Sequence, residues 1–307
     1  MVSKVPTLRE LVPHATFRML DFESPPGWSR FNPTVAAAGV GFNIIVRTAN
    51  YIHLGRGGRG GLGYLFVDGG KRVFTRNYLL TVDDDLRVQT VQALVDQSLG
   101  PRKFPSWAVG YEDCRLVHSS EQALVICTVC DRNAAQRPEV AMLQLAGNAV
   151  TRVTVLRGPD PARAEKNWMP FIRGDALHLV YACAPTTVFA CDATSGRLSL
   201  VSKQAAPREA SAFRGGSQGI SFEGGILFVV HEAPVVGPYS HRFVLIDKEG
   251  TLAAFSQPFS FLGAQVEFCA GLAPKEQALV LTFGMADHTA WIAIVDVEEC
   301  VRLLEPC

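Results

Sequence analysis

Charge is scarce in this chain, and what there is cancels: 19% of the 307 residues are charged, and 29 basic residues face 29 acidic ones. Recruitment by nucleic acid or by an anionic membrane needs a basic excess, so neither is expected as a partner. No run approaches the ~18 apolar residues of a membrane-spanning helix. The amino-terminal MVSKVPTLRELVPHATF also lacks the apolar centre of a signal peptide, which predicts a cytoplasmic protein. Helical periodicity is equally thin. TLRELV carries Thr7 and Glu10 at capping-box spacing, and VQTVQALVDQSL reads as a short helix or an edge strand. The cysteines lack the spacing of a disulfide scaffold. The one C-x-x-C, Cys127 and Cys130, has no second pair at zinc spacing, and strand alternation would turn its sulfurs to opposite faces. No metal and no cofactor is therefore expected. The glycine-rich LGRGGRGGLG, ending at Gly63, lacks the GK[ST] of a phosphate loop. It is expected to be a flexible loop over a binding site, with its two arginines as ligand contacts.

What the chain has in abundance is strand signal: short β-branched and apolar runs separated by Gly, Asp, Asn and Pro. Five of these runs share one internal length. A polar tip, a strand, a turn and a second strand recur from Asn32 to Arg47, Asp113 to Thr128, Asn167 to Ala182, Gly216 to His231 and Glu267 to Thr282. Each is followed by further strand-like runs, such as HRFVLIDKEGTLAAF, enough for about four strands per unit. The units recur at roughly 50-residue intervals after a longer first one, the period of propeller blades. The predicted fold is all-β, a single five-bladed β-propeller over residues 1–307. Residues 1–31 form an extension that closes the ring, and the blades start near 32, 111, 165, 214 and 266.

In a propeller the innermost strands surround one axis, so the tips converge on one mouth of the central channel. The stretch VGYEDCRLVH then has a purpose beyond a solvated turn or a strand-end ion pair between Asp113 and Arg115. Carboxylates, amides, guanidinium groups and aromatics in one concave site suit a sugar, whose hydroxyls take bidentate partners and whose ring face takes an aromatic. Tyr111 and Trp168 are the candidate platform, Asp113 beside Glu112 the candidate acid, and Glu267 a candidate carboxylate base. Lys166, Arg214, His231, Tyr239, His241 and Arg242 form a second, basic group suited to an oxyanion. Gly215 and Gly216 beside it would allow close backbone approach.

The motifs GYEDCRL, EKNWMPF and FGMADHTAWIA resemble those of glycoside hydrolase family 130, five-bladed propellers that phosphorolyse or hydrolyse β-mannosides, and of related β-1,2-mannosyltransferases. The resemblance runs from about Asn32 to the C-terminus. It implies that Asp113 is the proton donor, acting directly or through a sugar hydroxyl. It further implies that Arg115 matches the motif arginine, with Cys114 where the family has proline, and that Asp287 binds substrate. Asn32 and Arg47 match first-blade sugar and anion contacts. With Asn167, these residues make up the expected substrate site.

The expected function is formation or cleavage of a glycosidic, β-mannosidic bond by inverting single displacement, with inorganic phosphate as co-substrate. Three alternatives stand beside it. A glycosyltransferase would use the same cations for a sugar nucleotide or sugar 1-phosphate. A hydrolase would need Glu267 across the site from Asp113. A non-catalytic sugar-binding propeller is the fourth reading.

Overall fold

The apolar runs that dominate the sequence are the second strands of five antiparallel sheets: Phe42–Ala49, Ala123–Val129, Ala176–Cys183, Gly225–Glu232 and Ala278–Met285. They are buried almost continuously along both faces, because each sheet packs between two others. The protein is seen in a computed structural model that describes residues 5–56, 62–160, 162–234 and 237–307.

The five sheets are the blades of a propeller. Their innermost strands are Ser29–Ala37, Glu112–His118, Met169–Arg173, Ile220–Phe222 and Glu267–Lys275. Five hydrophobic clusters fill the wedges between consecutive blades. Ile45 and Leu79 of blade 1 meet Leu116 and Val125 of blade 2, for instance, and Val35 and Ile44 of blade 1 meet Ala273 and Val280 of blade 5 on the other side. Thr16–Leu20 pairs with Thr289–Asp296 and supplies the outermost strand of blade 5, so the two ends of the repeat are joined in one sheet. The carboxy-terminal Leu304–Pro306 adds a strand to blade 4. Thr7 caps the short helix Leu8–Leu11 through a full capping box with Glu10. The ambiguous VQTVQALVDQSL is strand, with Val88–Ala93 at the edge of blade 1 and Val95–Asp96 pairing with blade 2.

Blade 1 is longer than the others because a hairpin, Tyr51–Arg56 with Leu62–Phe66, is inserted after its second strand. This accounts for the long first interval in the repeat. Residues 57–61 of the glycine-rich segment lie outside the described residues. The cysteines are free, and all but Cys307 are buried. Cys127 and Cys130 sit in different hydrophobic clusters, as strand alternation requires.

The channel is not open. Arg115, 1% exposed, crosses it below the mouth. It donates from Nε to the Gly216 carbonyl at 2.5 Å, from Nη1 to the Asp113 carbonyl at 2.8 Å and from Nη2 to Asn167 Oδ1 at 3.2 Å, and lies 5.6 Å over the Phe268 ring. One side chain thereby ties blades 2, 3, 4 and 5. Deeper still, Gln218 donates to the Val35 and Leu272 carbonyls and accepts from Thr34 Oγ1.

Candidate active site

The tips gather at one end of the channel as the repeat requires, and the backbone there is shaped to present them. Asn32, Asp113 and Asn167 occupy equivalent places on blades 1, 2 and 3, and all three have positive φ, at 46°, 50° and 62°. The first two sit in β-bulges that interrupt pairing between Phe31 and Thr34 and between Glu112 and Arg115. A bulge in the left-handed region costs Asn and Asp less than other side-chain-bearing residues and re-aims the side chain out of the sheet. Gly284 makes room for this, since a Cβ there would collide with the Asn32 amide. Gly215 and Gly216 allow the close approach expected of them. Their Cβ atoms would strike the carbonyls of Asn167 and Val229.

The result is a funnel of about 290 Å³ with two unlike walls. Blades 5, 1 and 2 contribute Asp287, Asn32, Arg47, Glu112 and Asp113; blades 3 and 4 contribute Lys166, Asn167, Arg214, His231 and Tyr239. On the first wall Arg47 organises the acids. It is 6% exposed, lies 4.9 Å over the Phe31 ring, and donates to Glu112 Oε1 at 2.6 Å and to Asp113 Oδ1 at 3.0 Å. Asn32 Nδ2 donates to the same Asp113 oxygen at 2.8 Å. Burial opposes ionisation of Asp113, but Arg47, the Asn32 amide and Arg115 outweigh it and hold its acidity below the usual carboxylate range. Glu112 and Asp287 go the other way. Burial raises both, Asp113 adds repulsion, and Arg47 only partly offsets the rise. The wall therefore holds one firmly ionised carboxylate between two reluctant ones. Asn32 Oδ1 is buried without a hydrogen-bond partner.

The second wall is cationic through Lys166 and Arg214, whose side-chain nitrogens have no protein hydrogen bond or ion pair among the described residues. His231 stacks on Tyr239 at 5.7 Å, and its Nδ1 is buried without a partner. Burial, with His241, Arg115 and Arg214 nearby, pushes its pKa down to about 3. It is a neutral hydrogen-bonding group rather than the cation expected from the sequence.

Several expected residues are elsewhere. Glu267 heads the inner strand of blade 5 at this end of the channel but is fully buried. Its carboxylate accepts from the backbone N–H groups of Phe261, Leu262 and Ala264 at 2.6, 2.8 and 3.0 Å, so it braces a loop and has no face for a substrate water. Arg115 is the channel tie described above and pairs with the Asp113 backbone, not its carboxylate. Trp168 is 1% exposed, donating to Glu165 and packed edge-on against Tyr181. Tyr111 faces a separate cavity between blades 1 and 2, where its hydroxyl accepts from Arg132. His241 is enclosed by Phe259 and Phe261. Arg242 pairs with Glu232 at 2.6 Å and lies over Phe213 and Phe255. Glu267 was expected at a repeat tip, Arg115 from the family motif and the histidine and arginine of blade 4 from their charge; for Trp168, beside Asn167, strand alternation sends the neighbour of a funnel residue into the wedge between blades.

Beside Tyr239 and Phe268 of blades 4 and 5, the aromatic lining includes four residues not expected from the sequence: Tyr51, His53, Tyr64 and Trp107. Of these four, the first three lie on the inserted hairpin and Trp107 on the linker to blade 2, both outside the repeat. The long first interval was their only trace in the sequence. Among the described residues no group of three or more His, Cys, Asp or Glu side chains is placed to hold a metal ion, and no helix is long and apolar enough to cross a membrane.

The fold places the chain among five-bladed propellers. Solved structures that share this fold include one from glycoside hydrolase family 130, the family whose motifs the sequence resembles. The β-1,2-mannobiose phosphorylase from Listeria innocua superposes with a TM-score of 0.62 at 11% identity, over 97% of this chain and 98% of that one. A glycosyl hydrolase from Bacteroides ovatus gives 0.58 at 14%, over 91% and 86%. A structure from the GH130 family, described as mannoside phosphorylases that include hydrolases targeting β-1,2 mannosidic linkages in Candida mannan, gives 0.58 at 12%, over 88% and 85%. At such identities the fold is what is shared. No family model and no curated protein matches the sequence.

Proposed function

We propose that the protein is an inverting glycoside phosphorylase acting on a β-mannoside. The observation that carries this reading is the division of the funnel into an acidic wall on blades 5, 1 and 2 and an unpaired cationic wall on blades 3 and 4. A sugar held between them has Asp113 on the side of its glycosidic oxygen and an oxyanion, gripped by Lys166 and Arg214, on the side of its anomeric carbon. The anion's oxygen forms a bond to that carbon as the glycosidic C–O bond breaks, and the leaving oxygen takes a proton from Asp113. Single displacement inverts the anomeric centre. The reverse direction builds a glycoside from a sugar 1-phosphate with the same groups.

Hydrolysis is disfavoured by Glu267, the expected base, whose carboxylate is fully engaged by three backbone donors. Asp113 must gain its proton in the complex. A phosphate dianion beside Lys166 cancels part of the positive field that keeps Asp113 ionised, so arrival of the nucleophile prepares the acid. The mannoside assignment is supported by the Listeria enzyme's substrate.

The test is incubation of the protein with β-1,2-mannobiose in the presence and absence of inorganic phosphate. Mannose 1-phosphate formed only with phosphate supports the reading. Free mannose released at the same rate without phosphate would overturn it.

A further inference from the structure

Part of the funnel's aromatic lining stands outside the blade repeat: Tyr51, His53, Tyr64 and Trp107. Its outermost member is Trp107, 49% exposed, and no other tryptophan lines the cavity among the described residues. The indole is nonetheless carried on fixed backbone. The Trp107 carbonyl accepts from the Val73 N–H at 2.8 Å, and the next two residues pair with Val73 and Phe74 of blade 1. Tyr64 also lines the cavity and is itself packed on Tyr51, with ring centroids 4.7 Å apart. A large indole held in place at the lip of a concave site and left half in solvent is well suited to cover the apolar face of a ligand.

The floor has the opposite character: Asn32, Arg47, Glu112, Asp113 and Asp287 offer hydrogen bonds and charge. The funnel, about 290 Å³, is at the small end of ligand pockets, which run to roughly 1,000 Å³. A sugar at the floor beside an anion fills it, so a second sugar unit reaches the lip. Sugar rings have a hydroxyl edge for polar floors and a C–H face for aromatic platforms.

We propose that Trp107 is the platform for the outer sugar unit, the one that keeps the glycosidic oxygen after cleavage, and that it makes the protein select substrates of two or more sugar units. This rests on the glycoside reading above and adds a specificity-determining residue and a minimum substrate length to it.

The experiment measures binding of β-1,2-mannobiose without phosphate, by calorimetry and by tryptophan fluorescence, to the wild-type protein and to Trp107→Ala and Trp107→Phe. The wild-type emission is expected to change on binding. In Trp107→Phe that change disappears while affinity stays within about threefold, because a ring remains. In Trp107→Ala the affinity falls about tenfold or more, a loss of one stacked ring face, with an unchanged melting curve and an unchanged KM for phosphate. Wild-type affinity in Trp107→Ala overturns the proposal and leaves the glycoside reading standing. A wild-type protein that binds no disaccharide overturns both.

Discussion

Arg47 on blade 1 and Asp113 on blade 2 meet at 3.0 Å across the joint between the blades, while Glu112 takes the guanidinium's other terminal nitrogen at 2.6 Å. This fork fixes the orientation of the candidate acid and separates two adjacent carboxylates by function. Asp113 is held ionised and aimed at the funnel by Arg47 and Asn32, whereas Glu112 is raised by burial and serves mainly to hold Arg47.

Asp113→Asn is expected to lower kcat by about 10²–10⁴-fold, the usual worth of a general acid, without loss of fold. Asn tolerates the positive φ and keeps the shape, but it cannot deliver a proton. Glu112→Gln should cost less, since the amide oxygen still accepts from Arg47. Turnover and melting curves on the same samples decide the matter; an active Asp113→Asn protein removes Asp113 from the mechanism.

Lys166→Ala and Arg214→Ala should each raise the KM for phosphate about tenfold or more, as expected for loss of a charge-assisted hydrogen bond. Because neither side-chain cation has a protein partner, the melting temperature should hold. Saturation with phosphate at wild-type concentrations in both variants would remove the anion site from this wall.

Glu267→Gln and Arg115→Ala should act through stability. The Glu267 carboxylate accepts three backbone N–H groups, and an amide there keeps one acceptor and introduces an unmatched donor, a loss of about 1–3 kcal/mol. Removing Arg115 leaves the Gly216 and Asp113 carbonyls and Asn167 unpaired inside the channel, at a cost of about 1–3 kcal/mol for each group left unsatisfied. Chemical denaturation measures both. Full stability with lost turnover in Glu267→Gln would restore it as a base.

Acid should destabilise the fold through histidine. Burial pushes both His231 and His241 down to about 3, against about 6.5 in an unfolded chain. Between these values the unfolded chain binds protons that the folded one refuses, so their contribution to stability is complete above pH 6.5 and is lost as pH falls towards 3. Each histidine accounts for about 1.4 kcal/mol per pH unit within that window. His241→Phe, in a pocket already lined by phenylalanines, should flatten the slope of unfolding free energy against pH by about one proton.

The sequence by itself determined the propeller, the number of blades and the end of the channel at which the polar tips gather. Strand pairing sets a fixed distance between a polar tip and the residue opposite it, and five repetitions of that distance are visible in a linear chain. It determined Asn32, Arg47, Asp113 and Asn167 as residues of one mouth for the same reason. Which way a neighbouring side chain turns was decided only by tertiary structure. Glu267 and Asp113 both stand at strand tips, yet Glu267 folds back onto a loop and Asp113 is swung inward by a bulge that leaves no mark on residue spacing. Trp168 and Arg115 adjoin funnel residues in sequence, but alternation and burial between blades placed the indole in a wedge and the guanidinium across the channel. Tyr51, His53 and Tyr64 came from an insertion, where no repeat constrains position, and Trp107 reached the funnel because its backbone pairs with a strand of blade 1 more than 30 residues earlier. Contacts of that separation depend on the closed ring, which no local pattern encodes.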